Sequence, residues 1–413
     1  MKTKLQKLDR RNFIRTLAGG LGGFAATSWL APSPSPALAR PMENARAAFN
    51  NLKITELKFL KLQFPGKTPV KRNAIITSGG EAPSLKMLEL YTNQGLIGRS
   101  LPKGPDSLIK SAFSKIRGEN PFDVERLWDH MYRDNRKSVA KGEYIEAIGS
   151  LDMAIWDLIG KALELPVYRV LGAYQTRLRV YAAGGYYEEG KTVADLVKEM
   201  EGYVSEGFRA VKMKVGGESF SVDVERVRAV REALGPDIDL MIDANNKWLA
   251  YDAIRFGRAV EKYNLFWFEE PVVADDFAGC AEVRQALDIP IVAGENEYTR
   301  WGCRDLITAG SADILNLDTV KAGGITEYRK IAALASAFHI PVAPHGSPHM
   351  AVHLLAATPN ALIMETYPGV ESQYNPALPL FPVKDGFITV PDKPGLGIDP
   401  DPALVQKYMV SLQ

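Results

Sequence analysis

Lys212 and Lys214 stand two residues apart in the stretch "RAVKMKVGG", alternating with Val211, Met213 and Val215. That period-2 pattern is a strand, with both ammonium groups on one face about 7 Å apart along the chain. Downstream, single charged residues close a series of short apolar runs: Asp243, Glu269, Glu295, Asp318, His345 and Glu365. They are separated by 26, 26, 23, 27 and 20 residues, each about the length of one strand-plus-helix unit. Asp243, Glu269 and Glu295 form an all-oxygen set of three negative charges, which selects a hard cation, Mg²⁺ by preference. Two ammonium groups do not neutralise three carboxylates plus Glu365, so lysine pairing alone does not explain the set. The neighbouring cation is expected to lower a lysine's pKa, leaving part of it neutral and able to act as a base. His345, with Asp318 one unit earlier to fix its tautomer, offers a second acid/base on the other side.

The elements that position these residues are repetitive. Eight runs, "RVYAAGG", "AVKMKVG", "DLMIDANN", "LFWFEEP", "PIVAGEN", "DILNLD", "PVAPHG" and "ALIMETY", alternate with amphipathic helical stretches. This pattern predicts an α/β fold, a (β/α)₈ (TIM) barrel over 176–367, with its site at the carboxyl ends of the strands. Residues 52–175 read as an N-terminal α+β capping domain, strand-rich to about Gly98 and helical from 105 to 171. The Pro/Gly-rich segment 368–413 is expected to pack back on that cap. His353, in "AVHLLAATP", reads as a packed core histidine, with Pro344 and Pro348 keeping the approach to it a loop.

The N-terminus reads as an address. "DRRNFIRTLAGGLGGFAATSWLAPSPSPALAR" has paired Arg10-Arg11, a weakly apolar Gly-rich run, and a small-residue site at Ala37-Leu38-Ala39. It resembles a twin-arginine export signal over 1–39, cleaved after Ala39, with 40–51 as a linker and the periplasm as destination. The apolar run is short for a membrane span. Fifty basic residues against forty-nine acidic ones argue against a nucleic-acid or anionic-membrane footprint. Cys280 and Cys303 are the only cysteines; they form no zinc pattern and are expected as buried free thiols.

Together these residues resemble the enolase superfamily, in its mandelate racemase/muconate lactonizing enzyme family and specifically the mandelate racemase subgroup. "SLDMAIWDLIGKALELPVYRVLG" resembles the family's last capping-domain helix, and "KMK", "DAN", "FEEP", "AGEN" and "D-x-x-x-x-G-G" resemble its barrel motifs. The resemblance covers almost everything after the signal. It implies Lys214 as base, Lys212 as its electrostatic modulator, and Mg²⁺ on Asp243, Glu269 and Glu295. It further implies Asn245 against the substrate, an Asp318–His345 dyad, and Glu365 as electrophilic support; sites of this superfamily pair a Lys or His base with Mg²⁺. "ILNLD" departs from the family's common "ILQPD". The segments "QFPGKTP" and "RSLPKGP" fall near the family's specificity loops without a recognisable substrate signature. The implied reaction is removal of the proton α to a carboxylate, with dehydration of a sugar acid as the leading outcome. Racemisation or epimerisation, cycloisomerisation of a sugar-acid lactone, and a non-catalytic periplasmic sugar-acid-binding protein are the alternatives. A homo-oligomer is expected.

Overall fold

The computed structural model describes residues 49–133, 141–368 and 376–413. The export-signal reading of 1–39 and most of the linker lie outside the described residues.

The cap begins with β1 (Ile54–Gln63), a short hairpin of β2 (Lys71–Arg72) and β3 (Thr77–Ser78), then β4 (Ser84–Thr92) and β5 (Ile97–Ser100). β1 pairs antiparallel with β4, and β4 with β5. The last strand of the chain, β15 (Met409–Leu412), adds to the other edge of β1, so the sheet order is β15-β1-β4-β5. Helices Asp106–Phe113, Val124–Arg133 and Glu143–Ala162 cover this sheet. The last is buried along nearly its whole length, from Tyr144 to Gly160. A helix apolar on all sides needs partners on all sides, and this one is clasped between the cap sheet and the barrel.

The barrel strands are β6 (Arg177–Ala183), β7 (Ala210–Lys214), β8 (Asp239–Asp243), β9 (Leu265–Glu269), β10 (Ile291–Ala293), β11 (Ile314–Asp318), β12 (Val342–His345) and β13 (Met364–Thr366). All are parallel, in the order β12-β11-β10-β9-β8-β7-β6-β13. β12 joins the segment leading into β13 through Val342, whose amide donates to the Asn360 carbonyl and whose carbonyl accepts the Leu362 amide (both 2.9 Å), while β14 (Phe387–Thr389) lies antiparallel on β6. Among the described residues no helix is long and apolar enough to cross a membrane.

Strand parity explains how charge enters the barrel. On β7, Val211, Met213 and Val215 face outward into the layer shared with the helices. Ala210 faces inward, with Lys212 and Lys214 above it at successive alternate positions. The same alternation sets Asp243 above Met241, Glu269 above Trp267, Asp318 above Asn316 and Ile314, and Glu365 above Ile363. An apolar floor of Tyr181, Met241, Trp267, Val292, Ile314, Ala343 and Ile363 therefore lies beneath a charged layer. Two details differ from the sequence reading. Glu295 lies two residues past the end of β10, beyond Gly294 at φ +132°. Pro344 sits within β12, and Pro348 opens helix Pro348–Ala356, where a missing N–H costs nothing. His353 is fully buried, its Nε2 against the Leu396 carbonyl at 3.0 Å, and Cys280 and Cys303 are buried and unpaired.

The cap is fastened to the turn after β11 and to the start of the helix Ile325–Ala337 that follows it. Trp156 donates to Thr326 Oγ1 (2.9 Å), and the Thr326 amide and hydroxyl donate to Asp152 (2.9 and 2.6 Å). Asp152 is wholly buried, and desolvation lifts its carboxyl to about 7 against these hydrogen bonds. One turn earlier, Gly149 lets the helix backbone approach the Val320 carbonyl so closely that a Cβ there would collide with it. Because the obstacle is backbone, Gly149→Ala is expected to destabilise the fold by ~1–3 kcal/mol, the usual cost of overpacking. A lowered urea midpoint at unchanged m-value would show it; an unchanged midpoint would mean that the cap is not pressed onto this turn.

Candidate active site

The charged layer is a connected network. Register places Lys214 beside Asp243, and Asp243 beside Glu269. Lys214 Nζ bonds Asp243 Oδ2, and Lys212 Nζ bridges Glu269 (2.7 Å) and Glu365 (2.8 Å). Asn316 Nδ2 then spans Glu269 Oε1 (3.1 Å) and Glu295 Oε2 (3.3 Å). His345 Nε2 lies 3.5 Å from Glu295 Oε1, and its Nδ1 donates to Asp318 Oδ2 at 2.9 Å. Asp318 and His345 are direct register partners on β11 and β12. Lysines and imidazole thus occupy opposite parts of the mouth: β6 and β13 separate β7 from β12 one way round, β8 to β11 the other.

The electrostatics correct one expectation. Burial and the neighbouring lysine both disfavour the charged form of Lys214, yet Asp243 outweighs them and holds its pKa above the ordinary lysine value. Lys212 is raised further, because Glu269, Glu365 and Asp243 all surround it. The two cations do not meet alone, so mutual repulsion does not set their charge here. Burial alone would push Glu365 up, but Lys212 holds it well below the carboxylate range. Glu269 goes the other way. Burial, joined by Asp243, Glu295 and Glu365, lifts it to about 8 despite Lys212. His345 is raised, since Glu295 and Asp318 overcome its burial.

Asp243, Glu269 and Glu295 lie side by side without closing on a common point; among the described residues, no three His, Cys, Asp or Glu side chains do. The oxygens turn instead to Lys212, Lys214 and Asn316. The donor set nonetheless fits a hard divalent cation. It consists of buried oxygens, Glu269 reports a local excess of negative charge, and two buried amide oxygens, Asn245 Oδ1 and Asn316 Oδ1, have no hydrogen-bond partner. Asn245 is otherwise tied to the site by its amide on Asp243 Oδ1 (2.8 Å).

Several contributors went unread in the sequence. Asn316 follows from parity alone, two residues below Asp318 on the inward face. Trp267 Nε1 donates to Glu269 Oε2 (3.0 Å) and Tyr367 Oη to Glu365 Oε2 (2.6 Å). The Tyr186 ring lies 5.2 Å from Lys214 Nζ and the Tyr181 ring 5.3 Å from Lys212 Nζ. Lys103, from the cap, bonds Asp318 Oδ2, a contact across 215 residues that no local pattern announces. A second tier backs the three acids. Glu270 is buried and accepts from Asn246 Nδ2 (2.7 Å) and Asn296 Nδ2 (2.6 Å), while Lys321 Nζ donates to Asn296 Oδ1 (2.9 Å). Asn246, Glu270 and Asn296 each lie within three residues of one of the three acids. Outer partners of this kind typically contribute 10–100-fold to metal affinity. Asn296→Ala is therefore expected to weaken Mg²⁺ binding ~10–100-fold in calorimetric titration of chelator-stripped protein. Unaltered affinity would detach the second tier from the first.

Comparison with known proteins agrees with this architecture. Residues 195–404 match the enolase C-terminal domain-like family, and residues 67–172 match the mandelate racemase/muconate lactonizing enzyme N-terminal domain. The chain is 31% identical over 369 residues to arabinonate dehydratase of Saccharolobus solfataricus, covering 86% of this chain and 99% of that one. It is 37% identical over 283 residues to 3,6-anhydro-alpha-L-galactonate cycloisomerase of Streptomyces coelicolor, covering 68% and 77%. Among solved structures, L-talarate dehydratase from Polaromonas sp., complexed with Mg and L-glucarate, superposes with a TM-score of 0.78. Identity is 30%, over 88% of this chain and 98% of that one. With both domains matched and the barrel-plus-cap fold shared, the chain belongs to the mandelate racemase/muconate lactonizing enzyme family of the enolase superfamily.

Proposed function

We propose that the chain is a Mg²⁺-dependent enzyme that removes the proton α to the carboxylate of a sugar acid and expels a β-hydroxyl, an acid-sugar dehydratase. One observation carries this reading: Lys214 and His345 stand at opposite ends of a single polar network across the barrel mouth, with three carboxylates between them. Support comes also from relatives named as a sugar-acid dehydratase and a cycloisomerase, and from a solved relative complexed with Mg and a sugar acid.

Asp243, Glu269 and Glu295 would hold Mg²⁺, which supplies positive charge against the negative charge that gathers on the substrate carboxylate. Asp243 and Glu269 cannot serve the lysines and a cation equally. Engaged as ligands, they would loosen their hold on Lys214, and the lysine, once it had given up a proton to solvent, could take the α-proton on its own face. Lys212 keeps its pairing with Glu365 and balances charge beside the reacting carboxylate. Asn245 Oδ1 offers a free acceptor to a substrate hydroxyl. On the other face, the Asp318 acceptor at Nδ1 directs Nε2 of His345 toward the substrate. As the β-carbon–oxygen bond breaks, His345 donates its proton to the departing hydroxyl, which leaves as water. The enol left behind ketonises to a 2-keto acid. The 37% identity to a cycloisomerase favours a second reading with the same half-reaction, in which a lactone oxygen departs and no water is lost.

We propose further that residues 1–39 direct export to the periplasm through the twin-arginine machinery, supported by Arg10-Arg11 and the Ala37-Leu38-Ala39 site. A homo-oligomer is the proposed state of assembly.

Each base exchanges only the proton on its own face. Lys214→Ala and His345→Asn are each expected to lower turnover ~10²–10⁴-fold, the range of one general acid or base. Only one of them should abolish α-²H exchange from D₂O, and chelation should stop both processes until Mg²⁺ is restored. Exchange and turnover near wild type in both variants would remove the two-base site. Arg10→Lys/Arg11→Lys is expected to leave active protein in the cytoplasm, and undiminished periplasmic activity of that variant would refute the export reading.

A further inference from the structure

The amino end of the barrel carries charge of the opposite sign to the mouth. On β6, Leu178, Val180 and Ala182 face the helix layer, while Tyr181 and Ala183 belong to the apolar floor. By the same alternation Arg177 and Arg179 lie on the floor side of the strand, below Tyr181. Both line a cavity of about 210 Å³, walled also by Gln175, Leu362, Ile363 and Phe387. Ile363 is a floor residue as well, so the cavity lies directly beneath the floor. Of the described residues that line it, only the two arginines are charged.

Aromatic rings hold both guanidinium groups. Arg177 lies 4.1 Å from the centroid of Phe387, and Arg179 lies 5.3 Å from that of Phe266. Contact through the face of the fork fixes its plane and uses none of its five N–H donors. Asp239 Oδ2 engages Nη2 of Arg179. The Arg177 guanidinium makes no hydrogen bond or ion pair with any described residue. Asp239 therefore neutralises one cation and leaves the other. The cavity also falls at the seam of the barrel. The ladder between β6 and β13 runs from Val180–Met364 to Ala182–Thr366. Below it, Arg177 and Arg179 share the cavity with Leu362 and Ile363, where that ladder has ended.

We propose that this cavity binds a small oxyanion of the phosphate class, held by the forks of Arg177 and Arg179 at the seam between the first and last strands of the barrel. Guanidinium forks match the oxygens of such an anion, and the charge-assisted bonds formed are roughly twice as strong as neutral ones. Gln175, on the same wall, adds a neutral donor. The bound anion offsets the unpaired cation and ties the start of β6 to the residues entering β13. An anion that binds only the closed barrel stabilises that state according to its occupancy. The floor separates it from the carboxylates of the mouth, so its role is structural and independent of the proposed reaction.

The test is calorimetric titration of the full Mg²⁺-loaded protein with inorganic phosphate at fixed ionic strength, with thermal midpoints recorded alongside. The expected result is one saturable equivalent per chain and a midpoint that climbs with the logarithm of phosphate concentration. Arg177→Gln is expected to bind ~10–100-fold more weakly, the effect of losing hydrogen bonds from a charged group. Arg177 is exposed, so the midpoint of that variant without phosphate should stay near wild type. Arg177→Lys, which keeps the charge without the fork, should fall between. Gln175→Glu brings a carboxylate to the same wall in the same shape and is expected to exclude phosphate. Phosphate held at the mouth instead would bind Arg177→Gln and Gln175→Glu as tightly as wild type, and that result would overturn the site. So would a midpoint that rises without saturation and equally in every variant, the general effect of an excluded salt. Absence of binding to wild-type protein up to tens of millimolar phosphate would overturn it as well.

Discussion

The structure is organised around buried charge. Asp243, Glu269, Asp318 and Glu365 are each about 1% exposed and Glu295 is nearly as enclosed, all in the mouth of one barrel. Moving a carboxylate out of water costs several kcal/mol even after relaxation, so five of them side by side require close compensation. Lys212 and Lys214 supply it on one side, His345 and Lys103 on the other, and the Asn316 amide bridges the middle. Compensation is incomplete at Glu269, whose pKa near 8 marks the place where positive charge is still wanted. A cation would be received there rather than at the dyad, where Asp318 is already oversupplied with donors.

Parallel strands make such crowding possible. Each strand contributes alternate residues to the interior, so a single step in sequence separates a wall residue from a site residue. Trp267 and Glu269 show the economy: the floor residue two positions below the acid donates a hydrogen bond up to it. Loop residues one to three positions after the acids, Glu270, Asn296 and Asn246, then build the outer tier. Glu270 and Asn246 both sit at positive φ, and their side chains bond each other, Asn246 Nδ2 donating to Glu270 Oε2.

Much of this was legible because it is periodic. The once-per-unit recurrence from Asp243 to Glu365 located both the strands and their carboxyl ends, and the parity of "KMK" put both lysines inside. Asn316 was within reach of the same rule, yet it was noticed only as a departure from a family pattern. Charge state was not legible. The two lysines are neighbours in sequence, but their carboxylate partners lie 29 to 153 residues away, and these hold both lysine pKa values up. Lys103 was equally hidden, because nothing local in "RSLPKGP" says where a cap loop will lie over a barrel.

The position of the cap follows from how it is attached. Gly149, Asp152 and Trp156 all press on the segment from Val320 to Thr326, the turn that begins two residues after Asp318 and the first residues of the helix Ile325–Ala337 that it opens. The amides that orient Asp318, those of Val320 and Lys321, belong to that same turn. Cap docking and dyad geometry therefore share one short piece of backbone, and a shift of the buried helix is felt at the carboxylate that steers His345. A more loosely seated cap would leave the barrel folded but blur the direction of its imidazole. Close contact at Gly149 and burial of Asp152 at some electrostatic cost are consistent with a fold in which the placement of that one carboxylate outweighs local stability.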